Sequence, residues 1–126
     1  MSKTILITGA ASGFGKIAAF DLAKKGHKVI ATAQVYPQMS DLIREAKEQG
    51  IEMIVDKLDV TNATDIAYIT QKYDIDILLS NAGIMEAGPI AEQPVDLIRS
   101  MFDVNVFGGV HLAQGFIKKF IEEKRM

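Results

Sequence analysis

The sequence predicts an α/β protein: a parallel sheet of four strands in three layers, with helices on both faces. Short apolar runs alternate with longer amphipathic runs along all 126 residues, which is the pattern of a parallel sheet with helical crossovers. Glycines stand where several of these runs end, as expected at strand and helix boundaries. The composition, 48% hydrophobic and 24% charged, is that of a globular domain and excludes disordered, collagen-like and coiled-coil chains.

Strands and helices alternate regularly in the first part of the chain. Each predicted strand is a short apolar run suited to burial on both faces. In the second helix Ser40 is the predicted N-cap, and Leu42, Ile43 and Ala46 share the apolar face. The elements in chain order are strand Thr4–Thr8, helix Phe14–Lys25, strand Lys28–Ala33, helix Ser40–Gln49, strand Ile51–Val55, helix Asn62–Lys72 and strand Ile75–Leu79.

Two more helices follow the fourth strand. Pro94 suits the first turn of a helix that continues over Val95–Val104. The last helix runs from about Asn105 to Glu123, with a bend predicted at Gly108-Gly109. Apolar residues surround most of its circumference, so the sequence predicts burial on more than one side. With right-handed crossovers and strand order 3-2-1-4, the fourth strand lies at an edge. We find no linker or repeat, so residues 1–126 form one predicted domain.

Charge and residue usage exclude several classes of function. The net charge of −2 and the absence of a basic stripe argue against nucleic acid or anionic membranes as partners. There is no cysteine, which excludes disulfides and thiolate chemistry and is consistent with a reducing compartment. His27 and His111 are far apart and lack a cluster of metal ligands, so no metal site is expected. No stretch is apolar enough to span a membrane, and the prediction is a soluble, cytoplasmic protein.

The strongest functional signal is the loop from Thr8 to Gly15, which leaves the first strand and opens the first helix. Gly9 permits the sharp exit from the strand, Gly13 leaves room for a pyrophosphate, and Gly15 allows close packing of the helix. The helix start offers free backbone N–H groups and a positive dipole end to phosphates. Strand four should end beside this loop, at the point where the winding of the sheet reverses. The loop therefore predicts a dinucleotide site.

The glycine spacing 9, 13 and 15 resembles the T-G-x-x-x-G-x-G loop of the short-chain dehydrogenase/reductase family, whose fold is Rossmann-like. Leu58-Asp59-Val60-Thr61 resembles the family's segment after strand three, and Asn81-Ala82-Gly83 its N-A-G motif after strand four. Asn105 resembles the asparagine of the family's catalytic tetrad. The resemblance covers Lys3 to Lys124. Taken singly, Asp59 and Asn81 could serve turns, and Asn105 could be an N-cap.

The resemblance implies a set of site residues. The aspartate after strand three bonds the adenine, the N-A-G motif lines the adenosine ribose, and Asn105 is the one catalytic residue present. The implied cofactor-binding residues are Gly9, Ser12, Gly13, Phe14, Gly15, Gln34, Asp59, Val60, Asn81, Ala82 and Gly83.

The choice between NAD and NADP depends on the end of strand two. NAD selection usually uses an acidic residue there, bonded to the ribose 2′-hydroxyl, and the family's NADP form often has an arginine. Ala33 and Gln34 provide neither. Gln34 and Ser12 can hydrogen-bond either cofactor, and without a carboxylate nothing repels a 2′-phosphate, which favours NADP.

The family's active site also needs a serine and a Tyr-x-x-x-Lys pair on later elements. Tyr68 and Lys72 have this spacing, but they precede the N-A-G segment and no serine-bearing strand precedes them. We interpret Tyr68 as the edge of a packed helix face and Lys72 as a solvated charge. The chain then resembles the cofactor-binding half of an oxidoreductase that transfers hydride between NAD(P) and an alcohol or carbonyl compound, truncated before its active site.

Other interpretations stay open at this point. The chain could be a non-enzymatic dinucleotide-binding module, a half completed by another chain, or a remnant. An unpaired edge strand and an apolar last helix also predict association. We expect a homodimer or larger assembly through residues 105–121, through strand four, or through both.

Overall fold

The computed structural model describes residues 2–84 and 88–123. Its sheet is parallel and has four strands in the order β3-β2-β1-β4, as the sequence predicts. Ile5 of β1 pairs with Val29 of β2 on one side and with Ile77 of β4 on the other. The strands are β1 (Thr4–Ile7), β2 (Lys28–Ala33), β3 (Ile54–Lys57) and β4 (Ile77–Leu79).

Helices cover both faces of the sheet and produce two separate cores. They are α1 (Gly13–Lys24), α2 (Tyr36–Glu48), α3 (Ala63–Lys72), α4 (Val95–Phe102) and α5 (Gly109–Glu123). Successive strand residues point to opposite faces, so Ile5 and Ile7 pack with the helices α1 and α2, while Leu6 packs with α3 and α5. The predicted three-layer α/β arrangement is therefore confirmed.

The second helix starts earlier than predicted. It begins at Tyr36, and Pro37 lies in its first turn, where a missing N–H is harmless. Ser40 is not the N-cap, because its hydroxyl donates to the Tyr36 carbonyl at 3.3 Å inside the helix. Leu42 is buried as expected, but Ile43 is half exposed, so the predicted face was too wide.

The third strand starts later than predicted. The Ile51 N–H donates to the Ala46 carbonyl at 2.8 Å and so belongs to the end of α2. Pairing with β2 begins only where Ile54 lies beside Ile30. β4 is likewise two residues shorter than predicted and begins at Ile77.

The last helical region also differs in detail. Pro94 is the N-cap of α4 rather than part of its first turn. In place of a bend at Gly108-Gly109, a wide π-helical turn over Asp103–Gly108 joins α4 to α5. A Cβ on Gly108 would lie 2.7 Å from Val60, so the small residue allows close contact with the loop after β3.

Burial of α5 is one-sided, which corrects the sequence-based expectation. Leu112 and Phe116 are buried against α3 and the sheet. The opposite side of this region stays exposed because nothing packs on it within the described part of the chain. Ile77 and Leu79 of the edge strand are also partly exposed. We call the exposed apolar residues of this region the outer apolar face; they are Phe102, Val106, Phe107, Val110, Ile117 and Ile121.

None of the described helices has the length and hydropathy that a membrane crossing requires.

Replacing a side chain on α5 by alanine should reduce the stability of the protein much more on the buried side of the helix than on the exposed side. Phe116 is 1% exposed and Ile117 is 50% exposed. We expect Phe116→Ala to lower the free energy of unfolding by about 3–5 kcal/mol, because it removes a buried aromatic ring and leaves a cavity. Ile117→Ala, the matched control, should change it by less than about 1 kcal/mol. Urea unfolding followed by circular dichroism measures both, and equal losses would contradict the one-sided burial.

Candidate functional site

A cleft of about 390 Å³ lies at the carboxyl ends of the strands, between the loops after β1 and β4. Ligands of open α/β sheets bind at this position, where the strand order reverses. All the predicted cofactor-binding residues except Gly15 line the cleft. The lining residues are Gly9, Ala11, Ser12, Gly13, Phe14, Ala33, Gln34, Gln38, Leu58, Asp59, Val60, Asn81, Ala82, Gly83, Ile84 and Val104.

Two glycines of the first loop adopt backbone conformations that other residues avoid. Gly9 has φ +64° and Gly13 has φ +59°. A Cβ on Gly9 would lie 2.9 Å from the Ala82 Cα, so a side chain there is also sterically excluded. A Cβ on Gly13 would meet nothing within 4 Å. Gly13 therefore leaves open space at the start of α1, where the helix N–H groups point.

Gly15 acts by close packing rather than by lining the cleft. A Cβ at this position would overlap the Gly9 carbonyl oxygen and lie 2.5 Å from the Asn81 amide nitrogen. That amide nitrogen also donates to the Gly9 carbonyl at 3.4 Å. Gly15 thus lets the first turn of α1 sit directly against the two loops, as its place in the motif predicts.

Thr8 joins the loop after β1 to the loop after β4. Its side-chain oxygen accepts hydrogen bonds from the backbone N–H groups of Asn81 at 2.8 Å and Ala82 at 2.9 Å. Thr8 is 1% exposed, so water cannot replace these bonds readily. In the sequence, Thr8 is recognisable only as the first residue of the glycine motif, and its role in joining the two loops was not predicted.

Asp59 combines a turn with a place in the cleft. One of its carboxylate oxygens accepts from the Thr61 N–H at 2.9 Å and from the Thr61 hydroxyl at 2.6 Å. The Asp59 N–H donates to Asp65 at 3.0 Å. The turn and binding interpretations of Asp59 are therefore compatible, because the turn holds the carboxylate at the cleft wall.

Asp65, in the first turn of α3, organises this loop. Its carboxylate accepts from the Lys57 ammonium at 2.8 Å as well as from the Asp59 N–H. Partial burial raises the pKa of Asp65, but these two hydrogen bonds outweigh it and the pKa falls below its ordinary value. Asn62 caps the helix by accepting from the Asp65 N–H at 3.1 Å.

Asn105 lies inside the π-helical turn and holds the segment after the N-A-G motif. Its side-chain oxygen accepts from the Ile84 N–H at 2.7 Å, and its side-chain nitrogen donates to the Ile84 carbonyl at 2.7 Å. π-helical turns often occur at functional sites. The N-cap interpretation is wrong, because Asn105 lies within continuous helical backbone. Its catalytic role stays a prediction.

Beside the end of β2, the cleft is lined by a residue that was not predicted from the sequence. Gln38 lines the cleft beside Gln34 and Ala33. Gln38 was overlooked because the helix was predicted to begin at Ser40, whereas α2 already contains residues 36–39. The signal was Pro37, which favours the first turn of a helix. Among the described residues that line the cleft, Asp59 is the one with an ionisable side chain.

Tyr68 and Lys72 form a network on α3 that does not reach the cleft. The Lys72 ammonium donates to the Tyr68 hydroxyl at 2.7 Å and to Asp56 at 3.0 Å, and the Tyr73 hydroxyl donates to Asp56 at 2.6 Å. Burial and the bond to Asp56 raise the pKa of Tyr73 to about 12. Lys72 is therefore an ion-pair partner and not simply a solvated charge. Tyr68 is half exposed, as expected at the edge of a packed face.

No group of three or more His, Asp or Glu side chains within residues 2–84 and 88–123 is arranged to hold a metal ion.

The parallel sheet, the glycine loop and the cleft at the reversal point define a nucleotide-binding α/β protein. The profile of the short chain dehydrogenase family matches residues 3–125. The chain belongs to the short-chain dehydrogenase/reductase family, which binds NAD(P).

Known relatives agree with this assignment. An uncharacterised oxidoreductase of Listeria monocytogenes is 32% identical over 98% of this chain and 52% of its own length. A diacetyl reductase [(S)-acetoin forming] of Staphylococcus epidermidis is 31% identical over 98% of this chain and 50% of its own. A short-chain dehydrogenase of Sphingobium yanoikuyae, solved with NADPH, superimposes with a TM-score of 0.81 and 28% identity over 96% of this chain and 50% of that one. The chain thus spans about half the length of the relatives that it matches.

The role of Thr8 can be tested by changing its hydroxyl. Thr8→Val keeps the shape but removes the acceptor for two backbone N–H groups. We expect it to lower the free energy of unfolding by about 1–3 kcal/mol and to speed amide hydrogen exchange at Asn81 and Ala82. Thr8→Ser keeps the oxygen and is the control, expected to preserve slow exchange. Unchanged exchange in Thr8→Val would contradict the proposed link between the loops.

Proposed function

We propose that this chain is the NAD(P)-binding half of a short-chain dehydrogenase/reductase. The observation that carries the proposal is the open space at Gly13 beside the start of α1, bounded by the loop after β4. A pyrophosphate fits this position, because the backbone can approach closely and helix N–H groups are available. The Ser12 hydroxyl makes no capping bond to α1, so it is available as a further donor.

The adenosine would extend from the pyrophosphate towards β3. Asp59, fixed by its bonds to Thr61, stands at that end of the cleft with Val60 beside it. A carboxylate held in this way suits the exocyclic amino group of adenine, which is a donor. Asn81, Ala82 and Gly83 form the opposite wall. These placements support the binding roles that the family resemblance implies.

NADP is the proposed cofactor, with NAD as the alternative. The support is the absence of a carboxylate at Ala33 and Gln34, where one would repel a 2′-phosphate. Solved relatives that contain NADPH, such as the Sphingobium yanoikuyae enzyme, point the same way. A cytoplasmic location, one partial domain over residues 1–126, and the absence of nucleic-acid or membrane partners remain predictions of the sequence.

We propose hydride transfer between NAD(P) and a small alcohol or carbonyl compound as the activity of a complete protein. The name of the Staphylococcus epidermidis relative, a diacetyl reductase, supports a carbonyl substrate. Asn105 would contribute by holding Ile84 and thereby shaping the cleft near Gly83. Tyr68 lies on α3 and is not among the residues that line the cleft. Within the described part of the chain no tyrosine or lysine lines the cleft, so we propose that this half is catalytically incomplete.

The glycine assignment predicts the effect of a side chain at the pyrophosphate position. We expect Gly13→Val to weaken binding of ADP-ribose at least about tenfold, because the side chain would occupy the phosphate position and remove several hydrogen bonds of ~1 kcal/mol each. Gly50→Val is the matched control: Gly50 has a similar φ of +66° and also nothing within 4 Å, but lies at the far end of α2. Titration calorimetry checks both, and equal binding by parent and Gly13→Val would contradict the assignment.

We also propose that the chain forms a homodimer or larger assembly through the outer apolar face, the edge strand β4, or both. Large exposed apolar surfaces usually mark interfaces, and an unpaired edge strand is a template for pairing. A second chain that completes the sheet is the alternative occupant of this surface. The observation that supports this alternative is the partial exposure of Ile77 and Leu79 on β4.

Charged substitutions on this surface should weaken association. Phe107→Asp and Ile117→Lys change residues that are 62% and 50% exposed, so they should leave the fold intact. Ile43→Lys is the control, because Ile43 is also 50% exposed but lies on α2, away from this face. Light scattering at ~100 μM, where an interface of standard size should hold, measures the assembly. A monomeric parent chain would contradict the proposal.

A further inference from the structure

Positive charge near the ribose end of the cleft is supplied by Lys57. Lys57 is the last residue of β3 and lies in register with Ala33, the last residue of β2. Neighbouring strands are about 4.8 Å apart, and Gln34, which lines the cleft, follows Ala33 directly. In dinucleotide sheets the end of this second strand is where the ribose 2′ position is read. A lysine side chain is long enough to reach across one strand.

The Lys57 ammonium is nevertheless engaged elsewhere. It lies 2.8 Å from the Asp65 carboxylate, and its side chain and that of Asp65 are only 25% and 19% exposed. The ammonium also lies 5.7 Å from the centre of the Tyr36 ring. Lys16, in the first turn of α1, is similarly paired with Glu45 at 2.5 Å. Both cations therefore have carboxylate partners.

Of the residues that the structure describes, those that line the cleft at the proposed ribose end are neutral. Gln34 and Gln38 present amides, which donate equally well to a hydroxyl and to a phosphate oxygen. The one ionisable residue in the described lining, Asp59, is an acid and supplies no cation. Recognition of a 2′-phosphate usually requires a cation, since charge-assisted hydrogen bonds are about twice as strong as neutral ones.

We propose that Asp65 is a specificity-determining residue: by holding Lys57 in an ion pair, it withholds a cation from the ribose 2′ position and keeps the preference for a 2′-phosphate small. The inference rests on the proposed dinucleotide function. Because no carboxylate stands at the end of β2, a 2′-phosphate is not repelled there. Because Asp65 holds Lys57, the cleft favours the 2′-phosphate over a 2′-hydroxyl only slightly. Removing the charge of Asp65 frees Lys57 for the phosphate.

The substitution must preserve the second bond that Asp65 makes. Its carboxylate also accepts from the Asp59 N–H at 3.0 Å, and loss of that bond would disturb the adenine end of the cleft. Asp65→Asn keeps the shape and an acceptor oxygen while removing the negative charge. A freed ammonium bonded to a phosphate should improve affinity about tenfold, the scale of a charge-assisted hydrogen bond.

The experiment compares 5′-AMP with 2′,5′-ADP, which differ only in the 2′-phosphate. Both are titrated into the full chain, with binding followed by backbone amide chemical shifts, which also measure weak affinities. We expect Asp65→Asn to raise the affinity ratio of 2′,5′-ADP to 5′-AMP about tenfold, with 5′-AMP itself within about twofold of the parent. The double variant Asp65→Asn with Lys57→Met should return the ratio to that of the parent.

Asp74→Asn is the matched control. Asp74 pairs with a different lysine, Lys119, at 2.9 Å. Asp74→Asn therefore changes the net charge by the same amount as Asp65→Asn, but the affinity ratio of 2′,5′-ADP to 5′-AMP should stay constant. The proposal is overturned if Asp65→Asn leaves the ratio unchanged, if the double variant keeps the gain, or if Asp74→Asn produces the same gain. Loss of 5′-AMP binding in Asp65→Asn would also overturn the proposal, because it would show that Asp65 affects binding by positioning Asp59 and not by holding Lys57. If the parent binds neither nucleotide, the proposed function itself fails.

Discussion

The side-chain oxygen of Thr8 is the point on which the site depends. The loops after β1 and β4 are separated by more than half of the chain, and hydrogen bonds from Asn81 and Ala82 to this one buried oxygen bring them together. Gly9 and Gly15 then allow the backbones to approach within contact distance. With the hydroxyl in place, the start of α1 and the loop after β4 form the two walls of one cleft.

The loop after β3 is held by an equivalent arrangement of side chains. Asp65 and Asn62 at the start of α3 bind the backbone, and Asp59 closes its own turn on Thr61. The Asp65 carboxylate bonds both the Asp59 N–H and the Lys57 ammonium. In the proposed binding mode, this residue outside the cleft wall links the position of the loop after β3 to the charge available beside the end of β2.

The core between the sheet, α3 and α5 positions the last helices relative to the cleft. Leu112 and Phe116 anchor α5 on α3 and the sheet. That anchoring places the π-helical turn so that Asn105 reaches the backbone of Ile84. The same helices present the outer apolar face to solvent. The proposed association surface and the contact with Ile84 thus belong to the same helical region.

Local patterns predicted the layers and the strand order, and the family resemblance added ten of the sixteen described residues that line the cleft. The glycine motif and the short apolar strands depend on backbone sterics and on alternation of side chains, which are properties of a few consecutive residues. The start of α2 was predicted wrongly, because both Pro37 and Ser40 are residues that favour the beginning of a helix. The structure shows that the helix begins at Tyr36. The missed Gln38 follows from that one error.

Other features were decided by tertiary structure alone. The sequence showed apolar residues around the last helix, but which of them are buried depends on whether another element lies beside them, as the contrast between Phe116 and Ile117 shows. The Lys57–Asp65 ion pair and the two hydrogen bonds between Asn105 and Ile84 join residues that lie far apart in the sequence, and no local periodicity encodes such contacts. The fold and the position of the cleft could be predicted because they follow from patterns within a few consecutive residues. The hydrogen bonds and ion pairs around the cleft could not, because they depend on where the sheet and helices place two residues that are distant in the sequence.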